Sequence, residues 1–155
     1  MSQVEWNQRI GAAANARRAL PRMAAEFFSQ VSAELEAEPD AEQLHCVRLA
    51  AKRIRYTLEL FRPCYGPALE QRIESLRRLQ QILGEINDCA VTRRLIVAGT
   101  RPSPHRAKAE RFLSARLRRK IAELRQRWGA ELGTDIERRR WIDYLTRNVR
   151  EPRRT

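Results

Sequence analysis

Four side chains set the chemistry this chain offers: His45, Arg48, Lys52 and Arg55. They recur at spacings of three and four, so on a helix they share one face. Leu44, Val47, Ala51, Ile54, Leu58 and Phe61 recur at the same spacings, displaced by one residue, and form an apolar stripe beside them. At about 1.5 Å per residue the cationic row runs roughly 15 Å. Solvated helix faces usually mix signs; this one meets no carboxylate until Glu59. Cations aligned this way repel one another, and a polyanion lying along the row relieves that repulsion. The plainer alternative is a basic surface helix beside a core. Arg48 and Arg55 offer planar forks for phosphate oxygens, Lys52 a point charge, and His45 a further donor when protonated.

The whole composition leans the same way. The 155 residues carry a net charge of +12, with 28 Arg against 3 Lys. Arginine suits phosphate recognition, although genome base composition is an ordinary source of the same bias. Residues 1–100 hold 14 basic and 12 acidic side chains, and residues 101–155 hold 17 and 7. Polyphosphate, nucleic acid or an anionic surface are the partners such a charge favours. Cys46, Cys64 and Cys89 are odd in number and form no CxxC pair. A disulfide framework and a zinc site are therefore not expected, and a reducing, cytoplasmic setting fits. No signal peptide and no membrane span are read.

The elements that must hold the row are helical throughout. A first helix is expected over 4–37, its apolar face formed by Trp6, Ile10, Ala13, Leu20, Met23, Ala24, Phe27, Val31 and Leu35, with a kink or break at Pro21. The acidic run from Glu34 to Glu42, with Asp40 as N-cap, starts a second helix over 41–62. The segment from Arg62 to Pro67 turns the chain into a third helix, from Ala68 to Val97, with Leu69, Ile73, Leu76, Leu79, Leu83, Ile86 and Ala90 inward. Gly84 in that helix marks close packing or a local weakness. A fourth helix over 105–131 points Phe112, Leu113, Leu117, Ile121, Leu124 and Trp128 inward. Thr134 and Asp135 cap a short final helix carrying Ile136, Trp141, Ile142 and Leu145. The expected fold is all-α: a four-helix bundle with a short extra C-terminal helix, one domain over 1–148, and a disordered basic tail over 149–155.

Two segments resemble a known family. The run from His45 through Arg48, Lys52, Arg53 and Arg55 to Tyr56 is similar to the histidine-led basic motif of CHAD domains, the conserved histidine α-helical domains. The run from Leu76 through Leu79, Gln80, Leu83 and Gly84 to Asn87 and Asp88 is similar to the pattern on that family's next helix. The resemblance implies a helical fold that binds inorganic polyphosphate through basic side chains, without catalysis, in some members at polyphosphate granules. His45, Arg48, Lys52 and Arg55 match the basic motif, with Arg53 and Tyr56 beside them. Asn87 and Asp88 fit a structural part better than ligand contact. Family domains commonly hold two four-helix halves, each with its own motif. One motif stands here, like that of the C-terminal half, which leaves either an open groove or a homodimer that rebuilds the pair.

Each neighbouring basic residue has an ordinary reading as well. Arg53 fits pairing with Asp88, and Tyr56 fits the edge of the core. Arg77, Arg78, Arg116 and Lys120 would widen the basic surface, or only solvate their helices. His105 reads as a loop residue, and the run Arg138 to Arg140 as a solvated face. A nucleic-acid-binding basic protein is the alternative function, resting on charge alone, with no helix-turn-helix or stacking platform behind it. A phosphohydrolase is disfavoured, because no P-loop and no clustered acids accompany the cations, and no metal or cofactor is expected.

Overall fold

The computed structural model describes residues 6–152. Five α-helices and no strands are found among them: α1 Ala12–Leu35, α2 Ala41–Leu60, α3 Ala68–Gly99, α4 Pro104–Arg127 and α5 Asp135–Arg147. A 3-10 turn, Arg62–Cys64, links α2 to α3, and a π-helical turn, Trp128–Leu132, extends α4. α1 lies against α2 and α5, α2 against α3, and α3 against α4.

Residue chemistry accounts for the helix ends. Asp40 starts α2 with a capping box: its carboxylate accepts from the Gln43 backbone N–H at 2.8 Å, and the Gln43 side-chain Oε1 accepts from the Asp40 backbone N–H at 2.9 Å. Ser103 and Thr134 cap α4 and α5 in the simpler way, each accepting from an N–H three residues on. The last carbonyls of α1 are covered from α4, where Arg125 donates to the Leu35 and Glu36 oxygens at 3.1 Å each.

The first helix departs from expectation at two points. It begins at Ala12, because the Asn15 side chain is buried and holds the preceding residues in a turn. Its Oδ1 accepts from the Asn7 N–H at 2.9 Å, and its Nδ2 donates to the Asn7 and Ile10 carbonyls. Trp6 and Ile10 therefore lie off the helix and are exposed, Trp6 stacking on Phe61 with ring centroids 5.1 Å apart. Val4 and Glu5, also placed in that helix, lie outside the described residues. At Pro21 the helix does not break. Proline removes one N–H, but Leu20, Met23, Ala24 and Phe27 are buried around it, and that packing holds the turn.

The core gathers on α1. Phe27 and Phe28 meet Trp128 at centroid distances of 5.6 and 5.7 Å, and Phe28 meets Trp141 at 5.4 Å. Rings at these separations interact beyond the area they bury. α5 is tied to the α2–α3 junction as well: Tyr65 donates its hydroxyl proton to the Leu145 carbonyl at 2.8 Å, and Arg72 sits over the Tyr144 ring at 3.8 Å. Burial raises the Tyr65 hydroxyl and lowers the Arg72 guanidinium from their ordinary values. Val149 is buried, and the Arg150 N–H donates to the Cys64 carbonyl at 2.8 Å, so the chain is held to that point of the expected tail. Arg153, Arg154 and Thr155 lie outside the described residues.

Phe112, expected inward, and Ile136 of the final helix are both exposed. Phe112 is 59% exposed, because the first half of α4 packs only on the end of α3, whose residues 92–95 are themselves exposed. Ile136 is exposed because Trp141 and Leu145 set the buried face of α5, and five residues of helix turn Ile136 well away from it.

α3 and α4 are also joined by charge. The Lys120 ammonium lies 2.6 Å from Glu85 and 3.0 Å from Glu123. Lys120 holds the Glu85 carboxyl below its ordinary value, through a hydrogen bond first and its charge second. A depressed carboxyl contributes stability that is complete above the ordinary carboxylate range and is lost as pH falls through the depressed value. Acidification from pH 7 to pH 3 should therefore lower the urea midpoint less in Glu85→Gln than in the parent. Parallel losses would show that the pair adds nothing.

The glycines separate cleanly. A Cβ added at Gly84 meets nothing within 4 Å, whereas one at Gly133 falls 2.5 Å from Trp128 Nε1. Close packing is thus not the reason for Gly84. Gly84→Ala should raise stability by up to about 1 kcal/mol, and Gly133→Ala should lower it by about 1–3 kcal/mol. Urea denaturation of both variants decides, and a loss at Gly84 would contradict the packing described.

Candidate functional site

α2 separates its faces as its sequence requires. Val47, Ala50, Ala51, Ile54 and Leu58 are buried. With that face fixed against the core, His45, Arg48, Lys52 and Arg55 fall on the flank next to α3. The two helices run antiparallel: Arg77 of α3 reaches Glu59 at 3.2 Å at one end, while residues near the end of α3 face His45 and Arg48 at the other.

That second end holds a cavity of about 630 Å³. Its basic and polar lining is His45 and Arg48 from α2, with Asn87, Arg93 and Arg94 from α3. Leu44, Leu83, Ile86, Ala90, Leu117 and Ile121 supply an apolar floor. Among the described residues no carboxylate lines it. Asn87 therefore stands beside the basic row, and Asp88 is exposed one residue on.

Arg93 and Arg94 were missed from sequence. The signal was present: Asn87, Ala90 and Arg94 recur at spacings of three and four. Following the second motif two turns further would have reached them.

The row is not uniform along its length. Among the described residues His45, Arg48 and Lys52 make no ion pair. Arg55 does: its guanidinium lies 2.9 Å from Glu59, four residues on, and 4.4 Å from the centroid of the Tyr56 ring. Glu59 is shared with Arg77, which also contacts Glu70 at 3.1 Å and Glu74 at 3.3 Å. These carboxylates raise the Arg77 guanidinium above its ordinary value, the hydrogen bond to Glu74 contributing most. Arg55 Nε and Gln80 Nε2 are buried donors that make no hydrogen bond among the described residues.

The outlying basic residues divide in the same way. Lys120 is committed to Glu85 and Glu123. Arg78 is exposed and donates to the Ser75 hydroxyl at 3.2 Å. Arg116 is exposed, close enough to help depress Glu85. Arg53 is half-buried and has a partner of its own. Tyr56 is exposed rather than set at the core edge.

Cys46, Cys64 and Cys89 are free thiols. Burial raises the Cys64 thiol above its ordinary value, with a smaller contribution from Glu151. Among the described residues no three His, Cys, Asp or Glu side chains are grouped to hold a metal ion. No helix among them is long and apolar enough to cross a membrane.

Arranged this way, the α2–α3 flank is a groove with fixed cations, open to solvent, and free of acid at the His45 end. It can neutralise an extended anion. The family model of the CHAD domain matches residues 4–97, which takes in α1, α2 and nearly all of α3. No curated protein and no solved structure matches the chain. The basic row on α2, the Asn87 segment facing it on α3 and the span of that match place this chain in the CHAD-domain family.

Proposed function

We propose that this chain binds inorganic polyphosphate, without turning it over, along the groove that His45, Arg48, Lys52 and Arg55 line. CHAD domains are associated with polyphosphate binding in general. The observation that carries the reading for this chain is the unpaired state of His45, Arg48 and Lys52, continued by Arg93 and Arg94 across the groove. A string of phosphates sets negative charge along its whole length, and a row of fixed cations matches it without ordering new groups. Arg53 and Tyr56 flank the row; Arg78 and Arg116 extend the field, while Lys120 contributes least because two carboxylates hold it. The helices correspond, on this reading, to half of a double bundle, with α5 as the addition. The binding would serve granule association or scaffolding in the cytoplasm.

A second copy fits beside the row. Leu49, Tyr56 and Leu60 are 52%, 53% and 72% exposed and lie at spacings of seven and four, on one stripe of α2 next to the cations. Two such stripes buried about a two-fold axis would bring two cationic rows alongside each other. The exposed stripe thus supports a homodimer that rebuilds the two-half groove.

Polyphosphate titration with light scattering tests both parts. Arg48→Ala with Lys52→Ala should weaken binding by roughly ten- to a hundredfold at low salt and leave the melting temperature unchanged. Glu59→Gln should strengthen it by freeing Arg55. An unchanged titration in the double variant would overturn the site. Tighter binding of duplex DNA or RNA than of long-chain polyphosphate, in competition at fixed salt, would favour the nucleic-acid reading, and shortening of the polyphosphate with added metal would favour catalysis.

Leu60→Asp should convert a dimeric parent to monomer, by scattering mass, and lower polyphosphate affinity. A parent that stays monomeric at every concentration would exclude the dimer.

A further inference from the structure

One part of the cavity beside His45 is of no use to inorganic phosphate. Its floor is apolar and comes from three helices, through Leu44 of α2, Leu83, Ile86 and Ala90 of α3, and Leu117 and Ile121 of α4. Val97, partly exposed, continues that surface outward. A purely ionic ligand gains nothing from such a surface, because apolar area stabilises only what it removes from water. The rim above the floor carries His45, Arg48, Arg93 and Arg94 and, among the described residues, no acid. The volume of about 630 Å³ lies in the range of small-molecule sites, which combine an apolar lining with a few polar groups. It would enclose little more than one turn of helix, about 500 Å³, so it suits a small molecule better than a docked segment of protein.

We infer that this cavity also takes a small amphiphilic anion, a free medium-chain alkyl carboxylate, with its chain on the floor and its head at the arginine rim. The head takes a planar fork from Arg48, Arg93 or Arg94, the geometry in which guanidinium and carboxylate pair best. The chain covers Leu44, Ala90, Leu117 and Val97, which keep exposed apolar surface, over a base of Leu83, Ile86 and Ile121 that is already buried. Asn87, half-buried on the wall, adds a neutral donor and acceptor at the boundary between the two regions. The inference goes beyond polyphosphate binding and does not need it. Both ligands would use Arg48, so they would compete.

Calorimetric titration of the whole chain with hexanoate, octanoate and decanoate, each below its micelle concentration, tests the site. One molecule per chain should bind, with affinity rising roughly two- to fourfold per methylene. Decanol, which lacks the head, and tripolyphosphate, which lacks the chain, separate the two halves of the site. Decanol should bind at least tenfold more weakly than decanoate, and tripolyphosphate should show no dependence on filling the floor. Ala90→Phe should abolish decanoate binding, and Arg94→Ala should weaken it about tenfold. Affinity flat across the alkanoates, several equivalent weak sites, or decanol equal to decanoate would each overturn the inference. Those three outcomes need no variant, so they decide even if Ala90→Phe does not fold. Alkanoate binding with no polyphosphate binding would sink the earlier reading alone, and the reverse would sink only this one.

Discussion

The orientation of α2 about its own axis is the constraint on which the rest depends. Val47, Ala50, Ala51, Ile54 and Leu58 are closed against the core, and a helix has no freedom to turn one face without turning the others. Burying each of those larger side chains is worth about 1.5–3 kcal/mol, far more than the mutual repulsion of the cations costs in water. Both ends are pinned as well. The Asp40 capping box fixes where the helix begins, and the 3-10 turn at Arg62–Cys64, held by Cys64 N–H to the Phe61 carbonyl, fixes where it stops. The cationic row is therefore displayed by hydrophobic packing on the opposite side of its own helix.

Charge along that row follows the direction of α3. Near Glu59 the cations meet a carboxylate network with Arg77, Glu70 and Glu74. Near His45 they meet Arg93 and Arg94. The groove is thus graded, neutralised at one end and strongly cationic at the other, though a count of charges on α2 alone would make it even. An extended anion entering it would meet the greatest attraction at the His45 end.

Much of this was legible in the residues themselves. Helix periodicity, Asp40 before a first turn that carries Glu42, and Pro63 with Gly66 between α2 and α3 each act locally, so the sequence carries them whole. What was not legible depends on groups distant in the chain. The side chain of Asn15 stops α1 by reaching back to Asn7 and Ile10, and no propensity reveals that turn. Phe112 looks apolar and inward until one knows that no third layer covers that end of the α3–α4 pair. Lys120 looks like any surface cation until α3 brings Glu85 to it. Arg93 and Arg94 join the site only once the antiparallel pairing of α2 and α3 is known.

The pairing of Arg55 with Glu59 does not remove Arg55 from the groove. The Arg55 and Glu59 side chains are 17% and 25% exposed, and a helix pair four residues apart contributes only about 0.3–0.5 kcal/mol. Glu59 has a second cation in Arg77. If an anion drew the Arg55 guanidinium away, the carboxylate would still be paired, so no buried charge would be left alone, and that is the event that makes breaking such contacts expensive. Arg55 would also bring its buried Nε, a donor that Glu59 leaves unused. Glu59 therefore holds Arg55 in line with Lys52 and Arg48 while making its release inexpensive. The same argument does not extend to Lys120, whose two carboxylates lie on α3 and α4 and join those helices. Drawing Lys120 away would leave two carboxylates facing each other across the α3–α4 contact, with Arg127 3.3 Å from Glu123 but on the same helix. One cation is thus poised to move within the groove, and the other is fixed outside it.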